Sequence, residues 1–248
     1  MSKLVVVCTP TYNRRFALDF SVEVFKRQTY TNLHWIIIDN SDTEEKNWAP
    51  IQEKGLPNLT YIAIEGKKPI GYLRNVCLDE AMKLNPEYIA FWDDDDFYPP
   101  QRISASVAAL EKDSKVDIIG CAILPVFMSK ENVLMETGPY GTNHSTASTY
   151  LFRASITPNR RFTPDAVKAE EGSFTRDWTL PMCMLPAKDI LLVIGHAHNT
   201  VNKSQMIENP AKFAGRFLNR DNAKNIVRFQ WIRERALWDL FCKTFLDA

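Results

Sequence analysis

The chain has no excess charge of either sign: 30 Lys and Arg face 30 Asp and Glu over 248 residues. Nothing in that balance suggests a nucleic-acid binder or an acidic tail, so any charged partner has to be met locally. It also lacks a long hydrophobic run, with none reaching the roughly 18 apolar residues of a transmembrane helix. The opening MSKLVVVCTP offers only LVVVC before Pro10, too short for a signal peptide. A soluble, cytoplasmic protein is therefore expected. The five cysteines (Cys8, Cys77, Cys121, Cys183 and Cys242) form no CxxC pair. That argues against a zinc knuckle or a disulfide framework and fits a reducing compartment. TPTYNRRF, just after the first apolar run, contains no glycine, so a Gly-rich phosphate loop is missing where a first strand would present one. No linker, repeat or low-complexity segment marks a domain boundary, and one domain spanning 1–248 is the simplest reading.

What is present is ordinary globular composition, 45% hydrophobic and 24% charged, enough to bury a real core. Apolar β-rich runs alternate with helical patterns. Leu4–Cys8 precedes a helix over Phe16–Gln28, followed by the run His34–Asp39; Leu59–Ile64 precedes a helix over Tyr72–Leu84; Tyr88–Trp92 precedes one over Pro100–Lys112. This order predicts an α/β fold, β-α-β units building a mainly parallel sheet, whose continuously apolar strands are buried on both faces. Ligands of such sheets collect beyond the carboxyl ends of the strands, where TPTYNRR, DNSD and DDDD fall. The second half is less regular: it holds a polar stretch from Thr137 to Ser148, which reads as a mobile loop, and the strand-like KDILLVIG at Lys188–Gly195. From Pro210 the pattern is helical, basic and aromatic; such helices pack on their own domain or lie on a membrane surface.

The run Asp93–Asp96 follows directly on YIAFW. Four carboxylates at the end of a buried strand repel one another and resist desolvation. An EF-hand loop counted from Asp93 would need Gly at the sixth position and Glu at the twelfth, where Tyr98 and Ser104 stand. A solvated turn with a helix-capping aspartate is one alternative; a divalent cation shared with a phosphate-bearing ligand compensates the charge better. Asp39, ending WIIID, could accept a hydrogen bond from a nucleobase or make an Asx-turn over Asp39-Asn40-Ser41-Asp42. Arg74, after Gly71, could meet a base or phosphate or sit paired at the surface.

VVVCTPTYNRR, RQTYTNLHWIIIDNSD, GYLRN and FWDDDDFYPPQRI, in this order, resemble the inverting glycosyltransferases of family 2 with the GT-A fold. The resemblance is strong over about the first 110 residues and thinner afterwards, at EEGSFTRDW and GHAHNTVNK. It implies a nucleotide-sugar-binding half over 1–115, an acceptor and catalytic half over 116–205 and a C-terminal helical extension over 206–248. It further implies that Thr9, Pro10 and Tyr12 line the base and ribose, with Asp39 and Arg74 at a uracil. Asp93 or Asp94 would touch the ribose, and Asp95 would hold a manganese or magnesium ion bridging the donor's diphosphate. Asn40 stands where the family often has a second aspartate beside the base.

An inverting enzyme must also take a proton from the acceptor hydroxyl. Glu171 best matches the family's catalytic carboxylate, with Asp177 in reserve; Glu170 and Glu171 could instead merely complement a helix N-terminus. His196 and His198, two apart, would project to one side of an extended segment, where either could complete the metal's shell, and Lys203 could neutralise the leaving diphosphate. The expected activity is transfer of a sugar from a UDP-linked donor to a carbohydrate acceptor. A nucleotidyltransferase, disfavoured by the missing glycine-rich loop, and a noncatalytic nucleotide- or carbohydrate-binding module are the alternatives.

Overall fold

The computed structural model describes residues 2–42, 51, 55–199 and 203–247. Its centre is a seven-stranded sheet built from β1 (Val5–Thr11), β2 (Leu33–Asp39), β3 (Leu59–Ala63), β4 (Tyr88–Phe91), β5 (Ile118–Gly120), β8 (Leu151–Arg153) and β9 (Met182–Met184), in the order β3-β2-β1-β4-β8-β5-β9. β3, β2, β1 and β4 are parallel, and β8 runs against both its neighbours. The apolar runs alternate between two cores, as the period of two in a strand requires. Val5, Val7, Trp35, Ile37, Tyr88 and Ala90 point to one face, and Val6, Cys8, Ile36, Ile38, Ile89 and Phe91 to the other.

Helix α1 (Arg15–Lys26) and helix α3 (Arg102–Lys112) cover the first face, with Phe25 stacked on Trp35 at 4.6 Å. Helix α2 (Ile70–Met82) covers the second through Leu73, Cys77, Leu78 and Ala81. All three lie within a few residues of the stretches read from the sequence. Their N-termini follow strand ends, so the loops carrying the polar motifs open on one edge of the sheet.

The second half holds a feature that the sequence pattern does not announce, a four-stranded sheet ordered β10-β6-β7-β11 from β6 (Leu124–Met128), β7 (Val133–Thr137), β10 (Val193–Gly195) and β11 (Arg216–Asn219). KDILLVIG is strand only at its end, because Ala187–Asp189 form a 3-10 turn. The segment expected to be helical from Pro210 contains β11 before helix α6 (Ala223–Ile226) and helix α7 (Arg235–Phe245); helices α4 (Glu171–Thr175) and α5 (Ser204–Glu208) precede them. The apolar face of α7 packs on α1, with Phe241 against Phe20 at 5.7 Å and Phe245 against Phe16 at 6.2 Å. No helix among the described residues is long and apolar enough to cross a membrane.

Arg102, at the start of α3, is fully buried and donates to Ser106 Oγ at 2.7 Å and to the carbonyls of Thr149 and Tyr150 at 2.6 and 3.1 Å. Burial pushes its pKa down to about 10. Its bonds fix α3 to the turn that feeds β8.

Candidate active site

The parallel register sets Thr11 beside Asp39 and Cys8 beside Phe91, so the chain leaving β1 and the chain leaving β4 run out together. There the four aspartates diverge, each to a different partner. Asp93 receives Arg74 Nη2 at 3.4 Å. Asp94 accepts a short hydrogen bond from the Thr11 hydroxyl. Asp95 Oδ2 accepts from Arg14 Nε at 3.2 Å and Asn199 Nδ2 at 3.3 Å and lies 3.0 Å from His196 Nε2. Asp96 Oδ1 accepts the backbone N–H of Ile194 at 3.0 Å, which ties the run to β10.

Electrostatics separates them. Burial first, and neighbouring carboxylates second, raise Asp93 and Asp94 above the usual carboxylate range. Asp96 is pushed up to about 8 by burial. Burial acts on Asp95 too, but the His196 hydrogen bond and the charges of Lys203 and Arg14 outweigh it and hold Asp95 below the ordinary value. Within the run, then, Asp95 alone is shifted toward the charged form, while burial shifts the other three the opposite way.

The opposite wall comes from the second half of the chain, and the first turn of α2 holds it in place. A Cβ on Gly71 would stand 2.0 Å from the Thr163 carbonyl oxygen, so only glycine allows the 163–166 turn to close on the helix. Asn75 makes a two-way bond with the Phe162 backbone at 2.8 and 2.9 Å. Arg74, stacked over Phe91 at 4.9 Å, reaches across to Glu170 Oε1 at 2.7 Å. GYLRN is therefore a clamp between the halves: Arg74 pairs with Asp93 and Glu170, while its Nη1, at the cleft, makes no hydrogen bond.

The clamp sets Glu171, the first residue of α4, in the wall of a cleft of about 420 Å³. Its carboxylate accepts the Ala147 N–H at 3.0 Å, and burial followed by the Glu170 charge raises its pKa. Pro10, Tyr12, Arg14, Arg74, all four aspartates, Glu170, Glu171, Asn199 and Lys203 line this cleft.

Thr9, Asp39, Asp177, His196 and His198 are not among the residues lining this cleft. Thr9 is fully buried, and its hydroxyl accepts from Trp35 Nε1 at 2.9 Å. Asp39 is also fully buried: it forms the Asx-turn, accepting the Ser41 N–H at 2.8 Å, and receives the Tyr61 hydroxyl at 2.5 Å. Ser41 Oγ in turn accepts the Asn13 N–H at 2.7 Å, so Asp39 shapes the Tyr12–Arg14 loop from behind. His196 and His198 do not project together from a strand. They occupy a turn in which the exposed His198 donates its N–H to His196 Nδ1 at 3.2 Å, while the His196 ring reaches Asp95. Asp177 is exposed and in the left-handed region at φ 53°. Lys203 Nζ donates to the Ile194 carbonyl at 3.1 Å. Arg14, Asn199, Thr11 and Glu170 are site residues that sequence reasoning did not assign. Arg14 and Thr11 stand inside TPTYNRR and Asn199 inside GHAHNTVNK, so position in a motif was the available signal. A larger cavity of about 700 Å³, lined by residues including Arg27, Tyr98 and Trp231, contains none of the expected site residues.

The donor set suits a divalent cation. Asp95 Oδ2 and His196 Nε2 are 3.0 Å apart, the spacing of adjacent ligands in an octahedron with bonds of about 2.1 Å. Among the described residues no three His, Cys, Asp or Glu side chains converge as a complete shell. A cation held here would complete its coordination with phosphate oxygens and water, the usual arrangement for magnesium-type sites.

Solved structures share this architecture. TarS 1-349 of S. aureus in complex with UDP-GlcNAc matches with a TM-score of 0.60 at 18% identity, over 97% of this chain and 71% of that one. The mannosyltransferase PcManGT from Pyrobaculum calidifontis, in complex with GDP-Man and Mn2+, matches with a TM-score of 0.59 at 14% identity, over 98% of this chain and 70% of that one. The fold is that of the GT-A glycosyltransferases. The family model Glycosyl transferase family 2 matches residues 6–168, and the chain belongs to that family. The putative colanic acid biosynthesis glycosyl transferase WcaA of Escherichia coli (strain K12) is 30% identical over 109 residues, 42% of this chain and 37% of that protein; the match spans little more than a third of the relative's length.

The clamp has a direct consequence for stability. Glu170→Ala leaves the buried Arg74 guanidinium without its nearest carboxylate and is expected to lower the unfolding free energy by about 3–5 kcal/mol, read from urea denaturation followed by circular dichroism. An unchanged midpoint would show that Arg74 and Glu170 do not hold the two halves together.

Proposed function

We propose that the chain moves a sugar from a UDP-linked donor to a hydroxyl of a carbohydrate acceptor, with inversion at the anomeric carbon and with a manganese or magnesium ion at Asp95. The observation that carries this reading is the pair of facing walls: a run of buried carboxylates on one side, and on the other Glu171, next to the Arg74-paired Glu170, with a raised pKa.

Pro10 and Tyr12 form the base end of the cleft, with the Tyr12 ring backed by Lys67 Nζ at 4.5 Å. Asp93 and Asp94 would face the ribose, and Asp95 and His196 would hold the ion. The ion, when bound, neutralises charge on the diphosphate as the glycosidic bond breaks. Lys203 adds a second positive charge beside the leaving group. Glu171 accepts the acceptor's proton as the oxygen attacks the anomeric carbon from the face opposite the diphosphate, which gives inversion. Its raised pKa brings the base nearer the working pH, where general-base catalysis is most effective. The surface that would meet a membrane is the exposed Phe229 with Arg228 against its ring, because α7 spends its apolar face on α1.

Release of free UDP from a panel of UDP-sugars, with an acceptor mixture, is expected to require Mn2+ or Mg2+ and to vanish in Asp95→Asn while the protein stays folded. Full activity in excess chelator, or in that variant, contradicts the metal-dependent reading.

Glu171→Gln is expected to leave UDP and metal binding nearly intact while single-turnover transfer falls by about 10²–10⁴, the usual worth of a general base. In the wild type the rate should climb with pH on an acid limb whose midpoint lies above the ordinary glutamate value of 4.5, since the protonated form cannot accept the proton. Near-normal transfer by Glu171→Gln places the base elsewhere.

A further inference from the structure

We propose that Arg14 is a place-holding cation: it neutralises Asp95 until the metal arrives, then exchanges that carboxylate for the donor's diphosphate. The proposal rests on the functional reading above and adds a positioning residue to it. Arg14 and Asp95 are largely enclosed, with side chains 12% and 13% exposed. The guanidinium and the metal would use the same atom, because Arg14 Nε lies 3.2 Å from Asp95 Oδ2 and that oxygen also faces His196 Nε2 at 3.0 Å.

A divalent ion held by Asp95 Oδ2 would compete with the guanidinium for that oxygen. Repulsion between two cations so close, in a poorly solvated cleft, outweighs the hydrogen bond that Arg14 would keep. The backbone of Arg14 is fixed by α1, whose first turn begins with the Arg14 carbonyl accepting the Ala17 N–H at 2.9 Å, while its Nη1 contact to the Tyr12 carbonyl is long at 3.4 Å.

The new partner is set by chemistry. A diphosphate bound at the metal brings oxygen acceptors to the place the guanidinium vacates, and guanidinium matches phosphate in a two-pronged geometry. Metal alone displaces Arg14 from Asp95 without supplying a phosphate to receive it; metal with donor supplies one. Arg14 thereby couples the two ligands, and the coupling is reciprocal.

The test is a Mn2+ titration of the full chain by electron paramagnetic resonance, with and without UDP, on wild type, Arg14→Met and Arg14→Lys. Arg14→Met is expected to bind Mn2+ alone about 3–10-fold tighter than wild type, because no guanidinium has to be displaced. It is expected to bind UDP in the presence of Mn2+ about 10-fold more weakly, the worth of one charge-assisted hydrogen bond to phosphate. Arg14→Lys should fall between the two on both scales. A merely structural role would move both affinities in the same direction. Unchanged or weaker Mn2+ binding by a folded Arg14→Met, or unchanged UDP binding, overturns the proposal; Arg14→Gln provides the same comparison if the methionine variant does not fold. A wild type that binds neither Mn2+ nor UDP overturns the functional reading itself, a result distinct from a failure at Arg14.

Discussion

Four carboxylates on consecutive residues at the end of a buried strand are tolerable only if each finds a compensating group, and that constraint organises the molecule. The partners come from widely separated parts of the chain: Thr11 from β1, Arg14 from the loop before α1, Arg74 from α2, and Ile194, His196 and Asn199 from β10 and its turn. Charge that is costly to bury thus becomes the point at which the parallel sheet, the clamp helix and the second sheet meet. Compensation is incomplete, since Asp93, Asp94 and Asp96 are all shifted toward the protonated form. A cation beside these carboxylates would favour their charged forms.

The cleft works as a junction because its walls are built separately and fixed by a few specific interactions. Gly71, Arg74 and Asn75 grip the 162–170 segment with a close backbone approach, a buried ion pair and a two-way amide bond. Those interactions set where Glu171 stands relative to the aspartates. A base placed wrongly by an ångström loses much of its effect, so on the proposed reading the clamp would act by positioning Glu171.

The first half of the fold is legible in the sequence because its strands are buried on both faces and its helices fill the gaps between them, so that composition changes sharply at every boundary. The second half is not, for physical reasons. β5, β8, β9 and β10 are three residues long, too short to show a period, and β11 lies in a basic aromatic stretch whose pattern suits a helix as well. At the site, the aspartate run and Glu171 can be read because a motif fixes their place. Thr9 and Thr11 share one face of β1 and cannot be told apart by sequence: Thr9, within the strand, meets Trp35, whereas Thr11, at its end, meets Asp94. Asp39 offers a turn and a base contact equally, and its buried carboxylate makes the turn. For the histidines, an extended segment would set both on one side, whereas the chain turns there and sends only His196 toward Asp95. Arg14 is hidden in the sequence because its partner, Asp95, lies far along the chain.

The most direct test of the central claim is anomalous diffraction at the manganese edge from crystals grown with UDP and Mn2+. The account expects one strong peak in the cleft, in contact with Asp95 and His196 and bridged to both phosphates, with the Arg14 guanidinium turned away from Asp95. A diphosphate bound in the cleft with no metal peak, its charge met by Arg14 and Lys203 alone, would contradict it.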